Sequence, residues 1–255
     1  MENKVTINIV DDIARIEINR PEALNALNRS IVDELDELFD QIKDNNDVRL
    51  LIIGGTKNFA AGADIKQMVD CTATEAGKFL FSGTFNKLES LEIPTIAVID
   101  GYALGGGFEL ALACDLRLAS IEAKIGFPET GIGIMPGAGG TVRLPKLIGE
   151  GKAKELIFLG TILTGEEAEK IGMVNKAVPA EELKEEAERW AAKLIKKAPC
   201  GLAAAKRMVA DADKLDKKSA IELEAERWAA LFNTDDQKEG MKAHLEKRKP
   251  VYLGR

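Results

Sequence analysis

Short apolar runs alternate with amphipathic stretches along most of the chain. Apolar residues at alternate or consecutive positions predict strands at 6–10, 13–18, 48–53, 95–99, 116–119, 124–127 and 173–178. Apolar residues at helical spacing predict a helix capped by Ser30 and running to Ile42, and further helices at 74–91, 108–113, 151–159 and 165–171. This alternation of strands and helices indicates an α/β fold.

The last third of the chain is almost wholly helical by the same criterion. An amphipathic run at 181–197 is followed, after Pro199, by predicted helices at 202–212, 219–231 and 235–249. We therefore expect two domains, an α/β core over residues 1–197 and a helical C-terminal module over residues 198–255.

Composition narrows the class of protein. The 255 residues include 35 Lys and Arg against 42 Asp and Glu, a net charge of −7, which argues against general nucleic-acid binding. One histidine and three distant cysteines predict neither a metal site nor a disulfide framework, and they favour a reducing compartment. The opening residues do not resemble a signal peptide, and no apolar run is long enough to span a membrane, so we expect a cytoplasmic protein.

Two glycine-rich stretches, 101–107 and 131–140, could bind a ligand through the backbone. Neither matches G-x-G-x-x-G or the P-loop pattern, which argues against a dinucleotide or nucleoside triphosphate site. The first stretch joins a predicted buried strand to a short apolar helix. The free N–H groups at such a helix start suit a developing oxyanion.

Two glutamates stand in otherwise apolar surroundings. Glu109 lies in the apolar segment 108–113, and Glu129 follows Pro128 in a long apolar, glycine-rich stretch. A buried carboxyl is costly unless it is paired or protonated, so the two side chains could divide the roles of base and acid toward one water. For Glu109 the alternative is a carboxylate that only favours its helix start through the dipole.

These stretches together resemble the crotonase family, in particular enoyl-CoA hydratases, over nearly the whole chain. The joint order and spacing of the segments is what makes the resemblance specific. The segments are 19–21 with 24–27, 59–66, 101–109, 128–129, 136–141, 235–240 and 246–249.

The resemblance implies a crotonase-type spiral of ββα units with a C-terminal helical module that forms trimers, which usually stack in pairs. It implies coenzyme A thioester substrates and no metal or redox cofactor. The N–H groups of Ala63 and Gly106 would form the oxyanion hole. Coenzyme A would contact Ala61, Ala63, Asp64, Ile65, Lys66, Gly106 and Lys247.

Hydratases of this family use two glutamates, and Glu109 and Glu129 fill both positions. The resemblance therefore implies a hydro-lyase that adds water to short trans-2-enoyl-CoA, with Glu109 as base and Glu129 as acid, in fatty-acid or butyrate-type metabolism. Three alternatives remain: an isomerase or branched-chain hydratase of the family, a non-catalytic RNA- or protein-binding member, and, more remotely, a serine hydrolase. Phe127 departs from the family, where many hydratases carry Gln.

Four other residues have structural interpretations. Trp228 is expected to pack in the core, His244 to lie at the surface or an interface, and Cys114 to be a small buried residue. Asp64 is expected to cap a helix and so to hold the Ala63 loop.

Overall fold

The computed structural model describes residues 4–255, and the chain divides into two compact units. One contains residues 4–91 and 95–189, and the other contains residues 92–94 and 190–255. The second unit thus begins at Trp190, whereas the domain boundary expected from the sequence follows residue 197. Residues 1–3 of the expected core domain lie outside the described residues.

Within residues 4–189 the strands form two sheets. The strands are β1 (Val5–Val10), β2 (Ile13–Ile18), β3 (Leu50–Gly55), β4 (Thr95–Ile99), β5 (Tyr102–Leu104), β6 (Leu116–Ser120), β7 (Lys124–Gly126), β8 (Ile162–Thr164) and β9 (Lys176–Val178). The larger sheet has the order β1-β2-β3-β4-β6-β9, and the smaller has the order β5-β7-β8. Only the β1–β2 and β7–β8 pairs are antiparallel.

The helices of this first unit follow or separate the strands along the chain. They are α1 (Arg29–Asp44), α2 (Ala73–Ala76), α3 (Ser82–Glu89), α4 (Gly106–Ala113), α5 (Gly140–Ile148), α6 (Glu150–Leu159) and α7 (Gly165–Lys170), and α8 (Leu183–Leu194) runs into the second unit. A strand of the large sheet, a short strand of the small sheet and a helix follow one another in β4-β5-α4. The predicted α/β class and its ββα units are confirmed.

Helix α4 shows how the fold positions its charged groups. Every residue from Gly106 to Ala113 is buried, as expected for a helix that is apolar on all sides. Its one charged side chain, Glu109, is therefore carried into the interior. The neighbouring elements α3, α5 and β5 pack directly against α4.

Several predictions for the first unit were wrong in detail, and strands β5 and β8 were not predicted. Asn28, not Ser30, caps α1. The Asn28 Oδ1 accepts the Ile31 N–H at 2.9 Å, and the helix starts at Arg29, directly after the cap. The predicted helix 74–91 is broken, because the backbone at Leu80 is extended and separates α2 from α3. Helix α5 was not predicted at all.

The second unit is helical, with α9 (Pro199–Ala212), α10 (Lys217–Ala230) and α11 (Asp235–Leu245). Helix α11 ends four residues before the predicted Lys249, because Lys247 adopts the left-handed φ of 55° that terminates a helix. The expected core position of Trp228 was wrong, since the residue is 62% exposed and contacts the Phe232 ring. Among residues 4–255, we find no helix long and apolar enough to cross a membrane.

Candidate active site

Glu109 is held at a fixed place by backbone groups of the second glycine-rich stretch. The residue is 3% exposed, and its Oε1 accepts hydrogen bonds from the N–H groups of Ala138 and Gly140, both at 2.7 Å. Two such donors stabilise an ionised carboxylate and fix its orientation. A carboxylate that only favoured the start of its own helix would not account for these bonds, because the donors belong to a loop about thirty residues away.

Glu129 opens a single 3₁₀ turn, Glu129–Ile132, directly after Pro128. The residue is 8% exposed, and its Oε2 is buried with no hydrogen-bond partner among the described residues. Burial, and to a lesser degree the charge of Glu109, raises the pKa of Glu129 to about 7. Near neutral pH this carboxyl therefore retains a proton that it can give away.

The backbone at Gly105 and Gly106 is the point where both carboxyls converge. A Cβ added at Gly105, whose φ is +48°, would lie 2.7 Å from the Glu129 Oε1. A Cβ added at Gly106 would lie 3.9 Å from the Glu109 Oε2 and 3.6 Å from the Ala63 nitrogen. The two glutamates and the two backbone positions inferred for the oxyanion hole therefore surround one small volume.

The segment 61–66, here called the oxyanion loop, is tied to the chain on one side. Leu27 donates its N–H to the Gly62 carbonyl at 2.7 Å, and its own carbonyl accepts the Asp64 N–H at 2.9 Å. In this parallel bridge between Leu27 and Ala63, the N–H of Ala63 points away from Leu27. The N–H of Gly106 is at the start of α4, where a helix offers no acceptor.

Asp64 stabilises the oxyanion loop as predicted. It precedes the 3₁₀ turn Ile65–Gln67, and its Oδ1 accepts the Lys66 N–H at 3.2 Å. Its Oδ2 pairs with the Arg20 guanidinium at 2.8 Å, and both side chains are largely buried. The prediction that Asp64 acts as a cap is confirmed.

The two carboxyls differ in what surrounds them. Burial raises the pKa of Glu109 as well, but the N–H groups of Gly140 and Ala138 and the charge of Arg143 act in the opposite direction. Glu129 receives only its own backbone N–H as a stabilising hydrogen bond. A single proton shared by the pair is therefore expected on Glu129, with Glu109 ionised.

The other residues inferred for coenzyme A are Ala61, Ile65 and Lys66 of the oxyanion loop, and Lys247. Ala61 is half-buried and donates its N–H to the Leu24 carbonyl at 3.1 Å, whereas Ile65 and Lys66 are exposed on the 3₁₀ turn. Lys247 is exposed in the second unit, directly after α11.

The groups that orient Glu109 were not predicted from the sequence. The N–H donors of Ala138 and Gly140 belong to a stretch that was noted only for its glycines, and Arg143 lies on the unpredicted α5. Phe127 was considered as a residue that differs from the family near the reacting groups. The structure places its fully buried ring against Phe108, with centroids 5.4 Å apart.

The chain is similar to known proteins over nearly its whole length. Residues 8–255 match the model of the family described as "Enoyl-CoA hydratase/isomerase". The chain is 42% identical over 249 residues to the "Crotonyl-CoA hydratase" of Syntrophomonas wolfei, with 96% of each chain covered. It is also 42% identical over 251 residues to the "Short-chain-enoyl-CoA hydratase" of Clostridium acetobutylicum, covering 97% of this chain and 96% of that one.

A solved structure supports the same relation in three dimensions. The protein from Geobacillus kaustophilus described as "Enoyl-CoA Hydrates Subunit I Other Form" superimposes with a TM-score of 0.94 at 40% identity. The alignment covers 99% of this chain and 98% of that chain. The similarity therefore extends over both compact units.

Proposed function

This chain belongs to the enoyl-CoA hydratase/isomerase family, and we propose that it is a hydratase, a hydro-lyase that adds water reversibly to short-chain trans-2-enoyl-CoA. One observation carries the proposal beyond family membership. Both glutamates face the Gly105–Gly106 backbone, next to the Ala63 nitrogen, so a base, an acid and two N–H donors surround one volume. Hydration needs all of these groups at once.

In the proposed mechanism, the thioester carbonyl accepts hydrogen bonds from the N–H groups of Ala63 and Gly106. These bonds strengthen as negative charge develops on that oxygen, and losing one such donor typically costs about 3 kcal/mol of activation free energy. The polarised carbonyl makes C3 of the enoyl group electron-poor. Water attacks C3 while Glu109 takes a proton from it, and Glu129 donates its proton to C2 on the same face.

After hydration the proton of the pair is on Glu109, and Glu129 is ionised. That protonation state is the one needed for dehydration, in which Glu129 removes the C2 proton and Glu109 protonates the leaving hydroxyl. Addition of water is neither an oxidation nor a reduction. The two carboxyls and two N–H groups supply every proton transfer and the charge stabilisation, so we propose that no metal or prosthetic group takes part.

The test is the loss of enoyl-thioester absorbance from crotonyl-CoA, measured with wild type, Glu109→Gln and Glu129→Gln. We expect rapid loss with wild type and at least about a 100-fold lower kcat in each variant, because each removes one proton transfer. Glu166→Gln, at an exposed position on α7, is the control and should match wild type.

Absence of hydration by wild type on short, medium and branched enoyl-CoA would refute the proposal. Movement of a double bond from C3 to C2 by that same protein, retained in Glu109→Gln, would identify an isomerase instead.

The recognition of coenzyme A is proposed for the oxyanion loop and for Lys247. The exposed Lys247 offers a cation for the nucleotide phosphates, and Lys66 offers its backbone near the adenine. We expect Lys247→Glu to raise KM for crotonyl-CoA several-fold with little change in kcat, and Lys249→Glu to serve as the control. The effect should vanish with crotonyl-pantetheine, which lacks the nucleotide; an equal effect on both thioesters would argue against a phosphate contact.

We further propose that the chain forms a homo-oligomer, a trimer or a dimer of trimers. The support is the number of large apolar side chains that the second unit exposes, including Val209, Ile221, Trp228, Met241 and Leu245. Light scattering after size-exclusion chromatography gives the molar mass directly. Trp228→Glu should reduce that mass, and Lys218→Glu on the same helix should not; a monomeric wild type would refute the proposal.

A further inference from the structure

Arg143 on α5 is a buried cation that the proposed mechanism does not use. Its side chain is 10% exposed. Its Nη1 donates to the Ala138 carbonyl at 3.0 Å, and its Nη2 donates to the Asn86 Oδ1 at 2.6 Å and pairs with the Glu89 Oε2 at 2.8 Å. The guanidinium therefore links helix α3 to the loop that precedes α5.

Ala138 connects this guanidinium to Glu109. Its carbonyl accepts from Arg143, and its N–H donates to the Glu109 Oε1 at 2.7 Å. The backbone N–H of Arg143 also donates to the Gly139 carbonyl at 2.8 Å. A Cβ at Gly139 would collide with the Arg143 Nη1, so the loop backbone runs directly against the guanidinium.

Segment 138–140 is thus held between an arginine on one side and a carboxylate on the other. We propose that Arg143 is a positioning residue for the base Glu109: it fixes the two N–H donors that orient the carboxylate, and its charge keeps that carboxylate ionised. This inference rests on the proposed function of Glu109. It assigns to Arg143 a role in setting the pH range over which the base works.

The other charged groups around α4 are accounted for. On α3, Lys87 pairs with Asp36 and Asp40, both at 2.7 Å, and Glu89 pairs with Arg143 itself. On α5 the second cation is Lys146, which is exposed. At the end of α4, the buried Arg117 donates from its Nη1 to the carbonyls of Ala111 and Cys114. Tyr102 on β5 is 39% exposed, and the charge of Glu109 raises the pKa of Glu129.

Arg143 is thus the cation positioned to favour the ionised base. Burial raises the pKa of Glu109, and the N–H donors that Arg143 holds, together with its charge, limit that rise. When the arginine is removed, protonation of the base should therefore begin at higher pH.

The experiment compares pH profiles of kcat/KM and kcat for crotonyl-CoA hydration in wild type, Arg143→Met, Arg143→Lys and Lys146→Met. Arg143→Met should move the acid limb to higher pH by about one pH unit and lower kcat about tenfold, with KM changed less than about threefold. Arg143→Lys keeps the charge but not the forked donors, so kcat should fall while the acid limb stays in place. Lys146→Met removes a cation from the exposed side of α5 and should match wild type.

The outcomes separate this inference from the proposed function. If wild type does not hydrate enoyl-CoA, or Glu109→Gln equals wild type, the proposed function itself has failed. If wild type is active and Arg143→Met loses the same fraction of activity at every pH, the role is merely structural and the inference is overturned. Circular dichroism and the thermal midpoint establish whether each variant folds. If Arg143→Met does not fold, an unchanged kcat in Arg143→Lys would overturn the inference equally.

Discussion

Changing Glu129 to Gln should make the free protein more stable at alkaline pH while abolishing its activity. The carboxyl of Glu129 has a pKa raised from 4.5 to about 7, chiefly by burial. Below pH 4.5 both the folded and the unfolded chain hold the proton. Between pH 4.5 and about 7 the unfolded chain releases it first, so the free energy of unfolding falls as the pH rises through this window and then stays low.

The size of this loss follows from the two pKa values. Each unit of pKa difference corresponds to about 1.4 kcal/mol, so a rise from 4.5 to about 7 corresponds to roughly 3–4 kcal/mol. Solvent that reaches the open side of the carboxyl screens part of this cost, and we expect about 2 kcal/mol. Gln has nearly the same shape and no charge, so Glu129→Gln should recover that amount above about pH 7.

Urea denaturation at equal protein concentration measures the effect at several pH values from about 4.5 to 8.5. The variant also replaces the buried Oε2, and this change of hydrogen bonding contributes equally at every pH. The informative quantity is therefore the growth with pH of the stability difference between Glu129→Gln and wild type. Glu181→Gln, at an exposed position, reports the effect of removing one surface carboxylate.

A stability difference that stays constant from acid to alkaline pH would refute the reasoning. It would mean that the folded protein solvates the ionised Glu129 as well as water does. The burial of this carboxyl would then not support its proposed role as a proton donor near neutral pH.

Three further changes test the surroundings of the carboxyls. Gly105→Ala would place a Cβ 2.7 Å from the proposed acid at a positive φ, and kcat should fall about 100-fold in crotonyl-CoA initial rates. Gly131→Ala, which meets open space, should stay within about twofold of wild type, and equal rates for the two variants would contradict the geometry. Asp64→Asn should lower kcat about tenfold, because the oxyanion loop loses an ion pair, and an unchanged kcat would show that the loop is held without it. Phe127→Leu should lower the free energy of unfolding, measured in urea, by about 1–2 kcal/mol, because the ring is fully buried in the core. The rate of crotonyl-CoA hydration should stay almost unchanged. A large loss of that rate without destabilisation would place Phe127 in the acyl site.

The fold was predictable where local patterns determine it. The four apolar residues Leu50 to Ile53 are all buried in β3, which lies between two parallel neighbours, so a continuous apolar run was a sufficient signal. Helix α4 was predicted as a short apolar helix from Phe108. It starts two residues earlier, because glycines carry little helix signal but can adopt helical backbone angles.

The predictions failed where tertiary context decides. Helix α5 begins at Gly140, follows Gly139 at its N-cap and contains Pro145, and these residues argue against a helix from sequence alone. Its Arg143 and Leu144 are buried, so packing compensates for the weak intrinsic propensity. Trp228 failed for the opposite reason: an aromatic residue on an apolar stripe predicts burial, but the described chain leaves it exposed.

The candidate site was predictable as a set of residues but not as an arrangement. The motifs pointed to Glu109 and Glu129, and their apolar surroundings indicated perturbed ionisation. No sequence pattern could show that the N–H groups of Ala138 and Gly140 point at Glu109, because their direction depends on how a glycine loop folds against another element. Yet these bonds are what distinguishes the two carboxyls.

That distinction supports the proposed roles of Glu109 as base and Glu129 as acid. Two buried carboxyls that share one proton would be interchangeable if their surroundings were alike. The proton would then be found equally often on Glu129, as hydration requires, and on Glu109, as dehydration requires. The Glu109 Oε1 accepts hydrogen bonds from two backbone N–H groups, both at 2.7 Å, whereas the Glu129 Oε2 has no hydrogen-bond partner among the described residues. The proton therefore rests on Glu129, so the free enzyme is already in the state that hydration consumes, while dehydration must first move the proton to Glu109.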